Sequence, residues 1–197
     1  MSLKLIAAAT LALTLSFSGS AFAADPPSAM ESFKASHNAV LDLVHKKAGN
    51  EAVEKVVDSW FDYEGIAADA IGSKKKCEPR CDEYEALLGR LIRQNYLKRI
   101  NQADTGKIDF VGEDIRGKKA KVETKVTFKK DGVEQTLEID YIVYLVDDKW
   151  VCRDVITDGV SLRRTYKYEF NKVIREGGID DLILKLENKL AEVAAAP

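Results

Sequence analysis

The sequence predicts an α+β domain in which helices cover one face of a strongly curved antiparallel sheet. Two changes of pattern carry this prediction. Residues 28–104 and 161–190 place apolar side chains at helical spacing, whereas residues 107–157 alternate apolar and polar side chains between short turns. Because tight turns join antiparallel neighbours, the middle segment is expected to form a four-stranded meander against which the helices pack.

The first predicted helices have recognisable starts and stops. Ser28 and Glu31 form a capping-box pattern ahead of apolar residues spaced three and four apart. A second helix is predicted from about Asn50, and a short third helix ends at Gly72. A long fourth helix is expected to follow Asp82, whose carboxylate would cap it.

In the central segment, apolar and polar residues alternate with a period of two, which is typical of strands with one solvent-exposed and one buried face. Residues 120–129 alternate strictly, and Asp131-Gly132 is a strong hairpin signal before the next alternating run. Strands are also predicted over residues 107–115 and 149–156. Two further helices are then expected, one beginning at Ser161 and one after a pair of glycines.

Composition excludes several classes of protein. Of the 197 residues, 46% are hydrophobic and 31% are charged, so the chain lacks the low hydrophobicity of a disordered protein. Its 30 Lys and Arg residues nearly balance 32 Asp and Glu residues, giving a net charge of −2. A near-neutral chain does not have the basic footprint of a general nucleic-acid binder. The length is that of one globular domain.

Residues 1–23 have the pattern of a secretory signal peptide. One lysine precedes an apolar run, and Ala21-Phe22-Ala23 supplies small residues at a cleavage site. The apolar run is shorter than the roughly 20 residues that a transmembrane helix needs. Cleavage after Ala23 would leave residues 24–197 as a single domain. It removes one lysine and no acid, so the predicted mature chain has a net charge of −3 and is exported.

The cysteine pattern agrees with export. Cys77 and Cys81 lie in one lysine-rich loop, and in an oxidising compartment they are predicted to form a small disulfide. A zinc site is the alternative, but both histidines lie far upstream; a redox-active pair would more often be C-x-x-C. So short a loop restrains a local turn rather than the whole fold. Cys152 lies in an apolar strand and is expected to be buried.

The sequence carries no strong catalytic or cofactor signature. The segment from Gly159 to Arg163 lacks the final glycine of a hydrolase nucleophile elbow. His37 and His45 are eight residues apart, outside the i, i+4 pattern of helical metal ligands. There is no phosphate-binding loop or dinucleotide fingerprint. We therefore expect a binding function without catalytic residues, metal or cofactor.

An ordered set of motifs points to one family. The segment 62–72 matches D-[FY]-x-x-[IM]-[AS]…G, and residues 150–170 match W-x-x-x-D-V-x-x-x-G-V-S-L…Y-R-x-x-F at every specified position except Lys167. Residues 178–186 match G-x-x-x-L-I-x-x-L. The chain thus resembles the MlaC/toluene-tolerance family over about residues 30–190. It departs from that family at the Cys77–Cys81 loop and at Lys167, where the family has arginine.

The resemblance implies an NTF2-like cone that encloses an apolar cavity. It implies a monomeric periplasmic carrier without a cofactor, with phospholipid as cargo. The implied partners are an outer-membrane lipoprotein complex and an inner-membrane ABC transporter. The candidate lipid-binding residues are inward-facing apolar positions on helices and strands: Phe61, Ile66, Ala70, Leu91, Val122, Val126, Ile139, Tyr141, Val143, Trp150, Val155, Val160 and Tyr166.

Three alternatives stay open at this point. Any one of the candidate residues could fill a solid core instead of lining a cavity, because protein interiors are normally close-packed. The whole domain could be an enzyme that uses a similar pocket for a small hydrophobic substrate. It could also be a structural or adaptor protein whose core is filled.

Overall fold

Five helices and five strands occur in the part of the chain that the structure, a computed structural model, describes: residues 28–102, 107–130 and 132–195. The helices are α1 (Ala29–His45), α2 (Asn50–Asp58), α3 (Tyr63–Ile71), α4 (Cys81–Gln102) and α5 (Leu162–Ala195), with a 3-10 turn at Lys74–Lys76. The strands are β1 (Lys107–Arg116), β2 (Lys119–Lys130), β3 (Val133–Val146), β4 (Lys149–Thr157) and β5 (Val160–Ser161). The predicted signal peptide, residues 1–23, lies outside the described residues.

The strands form one open antiparallel sheet whose spatial order follows the chain from β1 to β5. The α+β class is confirmed, but the prediction of four strands was wrong. The additional strand, β5, is only two residues long and pairs with Ile156 and Thr157 of β4. Two residues have no alternation that a sequence pattern could reveal, because a period of two needs several residues to show itself.

One face of the sheet carries the core. Val122 of β2 lies opposite Tyr141 of β3, and Ala120 lies opposite Val143; all four side chains are buried. Helix α1 packs across this face and inserts Phe33, which is 2% exposed. Most outward residues of β2 are charged, and Lys121 and Lys125 form ion pairs with Asp140 and Glu138 along the sheet surface. The period of two seen in the sequence therefore separates core from solvent as predicted.

Helix boundaries follow the predicted caps with one exception. The Ser28 hydroxyl accepts a hydrogen bond from the Glu31 amide at 3.1 Å, and Gly72 ends α3 with a left-handed φ of 75°. The exception is Asp82, which lies inside α4 because the Tyr84 amide already bonds to the Arg80 carbonyl. As a first-turn residue its carboxylate still favours the positive end of the helix dipole.

The C-terminal region is one helical run with a break. The sequence predicted two helices separated by glycines, and α5 bends at Gly178, whose φ of 76° is readily available only to glycine. Beyond the bend, apolar residues at helical spacing return to the core, namely Leu182, Ile183, Leu186 and Leu190. Within the described residues, no helix has both the length and the apolar character needed to cross a membrane.

The lysine-rich loop is fastened at both ends. The structure joins Cys77 and Cys81 through a disulfide. Lys76 donates from Nζ to the Ile71 carbonyl at 2.9 Å and to Asn171 Oδ1 on α5 at 2.5 Å. Arg80 pairs with Asp180, also on α5, at 2.5 Å. The loop is therefore held against α5 by side chains as well as closed by its own cysteines.

Thiol counting tests the disulfide directly. Alkylation of the denatured protein is expected to modify one cysteine, Cys152, before reduction and all three after it. Because closing a loop this short removes limited chain entropy, Cys77→Ser with Cys81→Ser should lower the free energy of unfolding by only about 2 kcal/mol. Three alkylated thiols in the unreduced protein would contradict the bridge.

The imidazole of His37 lies where α1 meets β1. Its ring centroid is 6.4 Å from that of Phe33 and 6.2 Å from that of Phe110, and the charged group of Lys34 lies 5.6 Å from the Phe110 ring. Burial lowers the pKa of His37 below its ordinary value of 6.5. The folded state therefore binds this proton less readily than the unfolded state does.

Stability should accordingly fall as the pH drops through the unfolded pKa of His37. Its contribution is fully present above about 6.5 and is lost below it, by at most about 1.4 kcal/mol per pH unit until the lowered folded pKa is reached. His37→Leu keeps an apolar contact and cannot titrate. Urea unfolding of both proteins between about pH 5 and 7.5 measures the difference; parallel pH profiles would contradict this role of His37.

Candidate functional site

A pocket of the described structure lies between α4, β4, β5 and the start of α5. It has a volume of about 370 Å³ and is partly open to solvent. Its lining residues come from five segments of the chain: Phe61, Ile92, Asn95, Tyr96, Val155, Thr157, Val160, Leu162, Thr165 and Tyr166.

The spacing of the lining residues along α4 and β4 places them on the sides of these elements that face the pocket. Ile92, Asn95 and Tyr96 are separated by three and four residues, so they share one face of α4. Val155 and Thr157 are two residues apart on β4 and therefore point to the same side of the sheet. One wall is thus a helix face and the facing wall is a strand.

A tight turn after β4 makes the third wall. Asp158 and Gly159 have φ values of 48° and 81°, which turn the chain so that Val160 runs back beside Thr157. Helix α5 begins immediately afterwards, and its first two turns contribute Leu162, Thr165 and Tyr166 to the pocket. The mouth is apolar at Val160, which is 65% exposed.

Phe61 is fixed by backbone pairing with β4. The Asp62 amide donates to the Cys152 carbonyl at 3.0 Å, and the Cys152 amide donates to the Trp60 carbonyl at 2.8 Å. Nε and Nη2 of Arg153 each lie 2.6 Å from Oδ2 of Asp62. The Asp62 carboxylate also accepts a hydrogen bond from the Gly65 amide at the start of α3. These contacts set the position from which the Phe61 side chain enters the pocket.

Aromatic rings form the floor of the pocket. Phe61 and Tyr96 have centroids 5.4 Å apart, and each lies against Trp60, at 4.9 and 5.3 Å. Trp60 continues the contact inward to Phe33 at 4.5 Å, and Phe33 meets Tyr141 at 4.2 Å. Rings at these separations gain from both burial and edge or offset contacts. The pocket therefore ends on a wall of side chains behind which lies a packed aromatic core.

A buried carboxylate fixes the start of α5 at the pocket edge. Asp154, whose side chain is 4% exposed, accepts from the Ser161 hydroxyl at 2.6 Å and from the Arg163 amide at 2.9 Å. Ser161 Oγ in turn accepts from the Arg164 amide at 3.0 Å. The carboxylate and the hydroxyl satisfy amides at the helix start that would otherwise have no partner.

The pocket offers apolar surface and neutral polar groups rather than acid–base chemistry. Tyr96 and Tyr166 are its titratable lining residues, and burial raises the pKa of Tyr96 well above its ordinary value. Burial also raises the pKa of the nearby Cys152 thiol, which keeps it protonated. The described residues contain no group of His, Cys, Asp and Glu arranged to hold a metal ion. Asn95 and Thr157 add neutral hydrogen-bonding groups to the wall.

The structure divides the thirteen candidate lipid-binding residues into three groups. Four line the pocket: Phe61, Val155, Val160 and Tyr166. Six are buried in the core outside the pocket lining: Ile66, Ala70, Leu91, Val122, Tyr141 and Val143. Three are half-buried elsewhere on the inner side of the fold: Val126, Ile139 and Trp150. The described residues show a pocket that is partly open to solvent, and they do not show the enclosed cavity implied by the family resemblance.

Six lining residues were not among the candidates. Ile92, Asn95 and Tyr96 could have been found from their spacing of three and four residues, which places them on one face of α4. The candidate Leu91 immediately precedes Ile92 and does not line the pocket. Leu162 lies three residues before Thr165 and four residues before Tyr166, so these residues share one face of α5. Thr157 shares the strand face of Val155 but is polar, so a search restricted to apolar residues passes over it.

Comparison with known proteins decides the family. The family described as MlaC protein matches residues 35–188, which is most of the chain and includes every residue that lines the pocket. The chain belongs to the MlaC family. A search of curated proteins gives no match.

Solved structures give this MlaC family member the same fold. One of them is the phospholipid-binding protein from Ralstonia solanacearum, solved in complex with a phospholipid. It superposes with a TM-score of 0.71 at 18% sequence identity, over 85% of this chain and 99% of the Ralstonia chain. At that identity the match establishes a shared architecture, and the phospholipid belongs to the Ralstonia protein.

Proposed function

We propose that this MlaC family member binds a phospholipid, with acyl carbons in the pocket and the headgroup at its open side. The observation that supports this most directly is the pocket lining, which includes Ile92, Val155, Val160 and Leu162 and no charged side chain. Membership of the MlaC family and the fold shared with a phospholipid-binding protein favour a binding or transport protein over an enzyme.

The physics of acyl chains explains why such a lining is needed. Each buried methylene contributes about 0.8 kcal/mol, so leaving a bilayer costs one acyl chain on the order of 10 kcal/mol. A few hydrogen bonds contribute about 1 kcal/mol each and cannot offset this cost. A carrier must therefore offer an apolar surface of comparable extent, and the headgroup can remain in water at the mouth.

The loaded pocket should be deeper than the one described. Its volume of about 370 Å³ is near the lower end of the roughly 300–1,000 Å³ typical of ligand pockets. The floor, however, consists of Phe61 and Tyr96 with Trp60 behind them. Rotation of these rings would extend the apolar wall inward without exposing a charged group. We infer that cargo enters by displacing the aromatic floor, which gives the enclosed cavity implied by the family.

Carriage also requires export and partners. We propose that residues 1–23 direct the chain to the periplasm and that the monomer exchanges lipid with an outer-membrane lipoprotein complex and an inner-membrane ABC transporter. Such exchange would contribute to outer-membrane lipid asymmetry. Docking would have to open the pocket, since an acyl chain buried under rings leaves slowly.

Lipid content of the purified protein tests the proposal. The protein is expressed as the full chain, purified without detergent from the periplasmic fraction, and measured by native mass spectrometry and by lipid extraction. We expect stoichiometric phospholipid, and transfer of labelled phospholipid between vesicles at a rate that rises with protein concentration. Protein that is free of lipid and that also accepts none from vesicles would refute carriage. Recovery from the cytoplasmic fraction alone would refute export.

A further inference from the structure

We propose that an exposed basic surface beside the pocket mouth docks this protein on anionic phospholipid bilayers. The basic surface joins the lysine-rich loop to the first half of α5, and its six cationic residues are all exposed: Lys75, Lys76, Arg164, Lys167, Lys172 and Arg175. This is a property of the outside of the molecule and does not depend on what the pocket holds.

The fold brings the two parts of the basic surface together. Lys76 bonds to Asn171 Oδ1, and Asn171 Nδ2 bonds to the Ala70 carbonyl at 3.0 Å, which fastens the loop to the middle of α5. Lys167 lies one turn before Asn171 and Arg175 lies one turn after it, on the same helix face. The loop lysines therefore extend a row of cations that already exists on the helix.

The six cations of the basic surface outnumber the two exposed carboxylates, Glu169 and Glu176, on the same stretch of α5. Some cations on other elements are paired, as Arg153 is with Asp62 and Arg93 with Asp58. None of the six has a carboxylate within ion-pair distance among the described residues, and the recorded side-chain partners of Lys76 and Arg164 are neutral. Because the whole chain has a net charge of −2, this concentration of positive charge is local.

The chemistry of the surface favours a bilayer over a protein partner. Four of its six cations are lysines, which are depleted from protein interfaces, and their hydrated point charges suit a diffuse anionic surface. Tyr168, which is 74% exposed, lies among them, and tyrosine is enriched where membranes meet water. Arg164 bonds to the Gly159 carbonyl at 3.4 Å, beside the exposed Val160. Docking through this surface would place the pocket mouth near the lipid.

Vesicle co-sedimentation tests the proposal. The protein is mixed with phosphatidylcholine vesicles with or without phosphatidylglycerol, at about 0.01 M and about 0.15 M salt, where the Debye length is about 30 Å and about 8 Å. We expect binding that requires phosphatidylglycerol and weakens as salt rises. Intact masses are recorded, so that wild type and variants are compared with the same N-terminal processing.

Two triple variants separate the basic surface from net charge. One replaces three of its lysines, Lys75→Ala, Lys167→Ala and Lys172→Ala, and should bind on the order of 100-fold more weakly, since each lysine near an anionic surface contributes about fivefold. The matched control removes three exposed lysines on other elements: Lys55→Ala, Lys129→Ala and Lys149→Ala. Circular dichroism verifies that both variants are folded.

The outcomes are distinct. Selective loss in the first variant supports the proposal. Equal loss of vesicle binding in both variants would show that net charge alone determines binding. Equal retention of binding in both variants would show that the basic surface does not contribute. Either result overturns the proposal. The wild type could instead fail to bind protein-free vesicles and still bind membranes that retain their proteins, with binding that weakens as salt rises. In that case the surface recognises an acidic protein, and the bilayer assignment is wrong. Absence of cargo leaves every readout unaffected, so failure here is distinguishable from failure of lipid carriage.

Discussion

Val155→Asp is expected to reduce the phospholipid content of the purified protein at least 100-fold while leaving it folded. Val155 is half-buried on the β4 wall of the pocket. In the empty protein the open side of the pocket lets water reach a carboxylate there. A bound acyl chain would displace that water and provide no hydrogen-bond donor, and burying an uncompensated charge costs several kcal/mol. The substitution is therefore expected to destabilise the lipid-bound protein and to leave the lipid-free protein nearly unchanged.

The matched control is Val151→Asp on the same strand. Val151 lies opposite Tyr144 and is also half-buried, but it does not line the pocket. Both variants are purified identically, and phospholipid per protein is measured by native mass spectrometry, with thermal unfolding as the test of folding. Normal lipid content in a folded Val155→Asp protein would mean that the cargo occupies another part of the molecule. Equal loss in both variants would point to charge or folding rather than to the pocket.

Asp154→Ala is expected to give the largest loss of stability among single substitutions near the site, about 3 kcal/mol in the free energy of unfolding. The change leaves the Ser161 hydroxyl and the Arg163 amide without their acceptor, and each unsatisfied buried donor costs about 1–3 kcal/mol. Because these donors lie at the start of α5, the loss should also loosen the third wall of the pocket.

Urea unfolding measures this loss of stability, and two further variants are compared with Asp154→Ala. Asp154→Asn keeps the size and one acceptor oxygen, so it should lose less than the alanine variant. Asp114→Ala removes an exposed carboxylate that pairs with Arg116 on the sheet surface, where an ion pair contributes about 0–1 kcal/mol. A loss in Asp154→Ala no larger than in Asp114→Ala would show that the buried carboxylate does not hold α5.

The elements that were predicted well have local physical causes. The alternation over β2 and β3 sorts side chains between water and core irrespective of what lies far away in sequence. The capping oxygen of Ser28 and the positive φ at Gly72 likewise act within three or four residues. Local rules of this kind can be read from a linear sequence.

The predictions that were wrong concern short local features, whereas the division between core and pocket depends on distant contacts. Asp82 was expected to cap α4, but the helix begins one residue earlier at Cys81. β5 exists because Asp158 and Gly159 turn the chain back onto β4, although a two-residue strand has no pattern of its own. Whether an inward apolar residue meets the pocket or the core also depends on which helix lies above it. Val143 and Val155 both lie on inner strands, yet Val143 is core and Val155 is pocket wall.

The sequence by itself determined the α+β class, most helices and strands, and, through its ordered motifs, membership of the MlaC family. Only the tertiary structure decided that Phe61, Tyr96 and Val155 meet around one pocket, and that the lysine-rich loop joins α5 in a basic surface. The physical reason is range. Periodicity and capping act over a few residues, whereas a pocket and a charged surface are made by side chains that lie about a hundred residues apart in the chain and become neighbours only after folding.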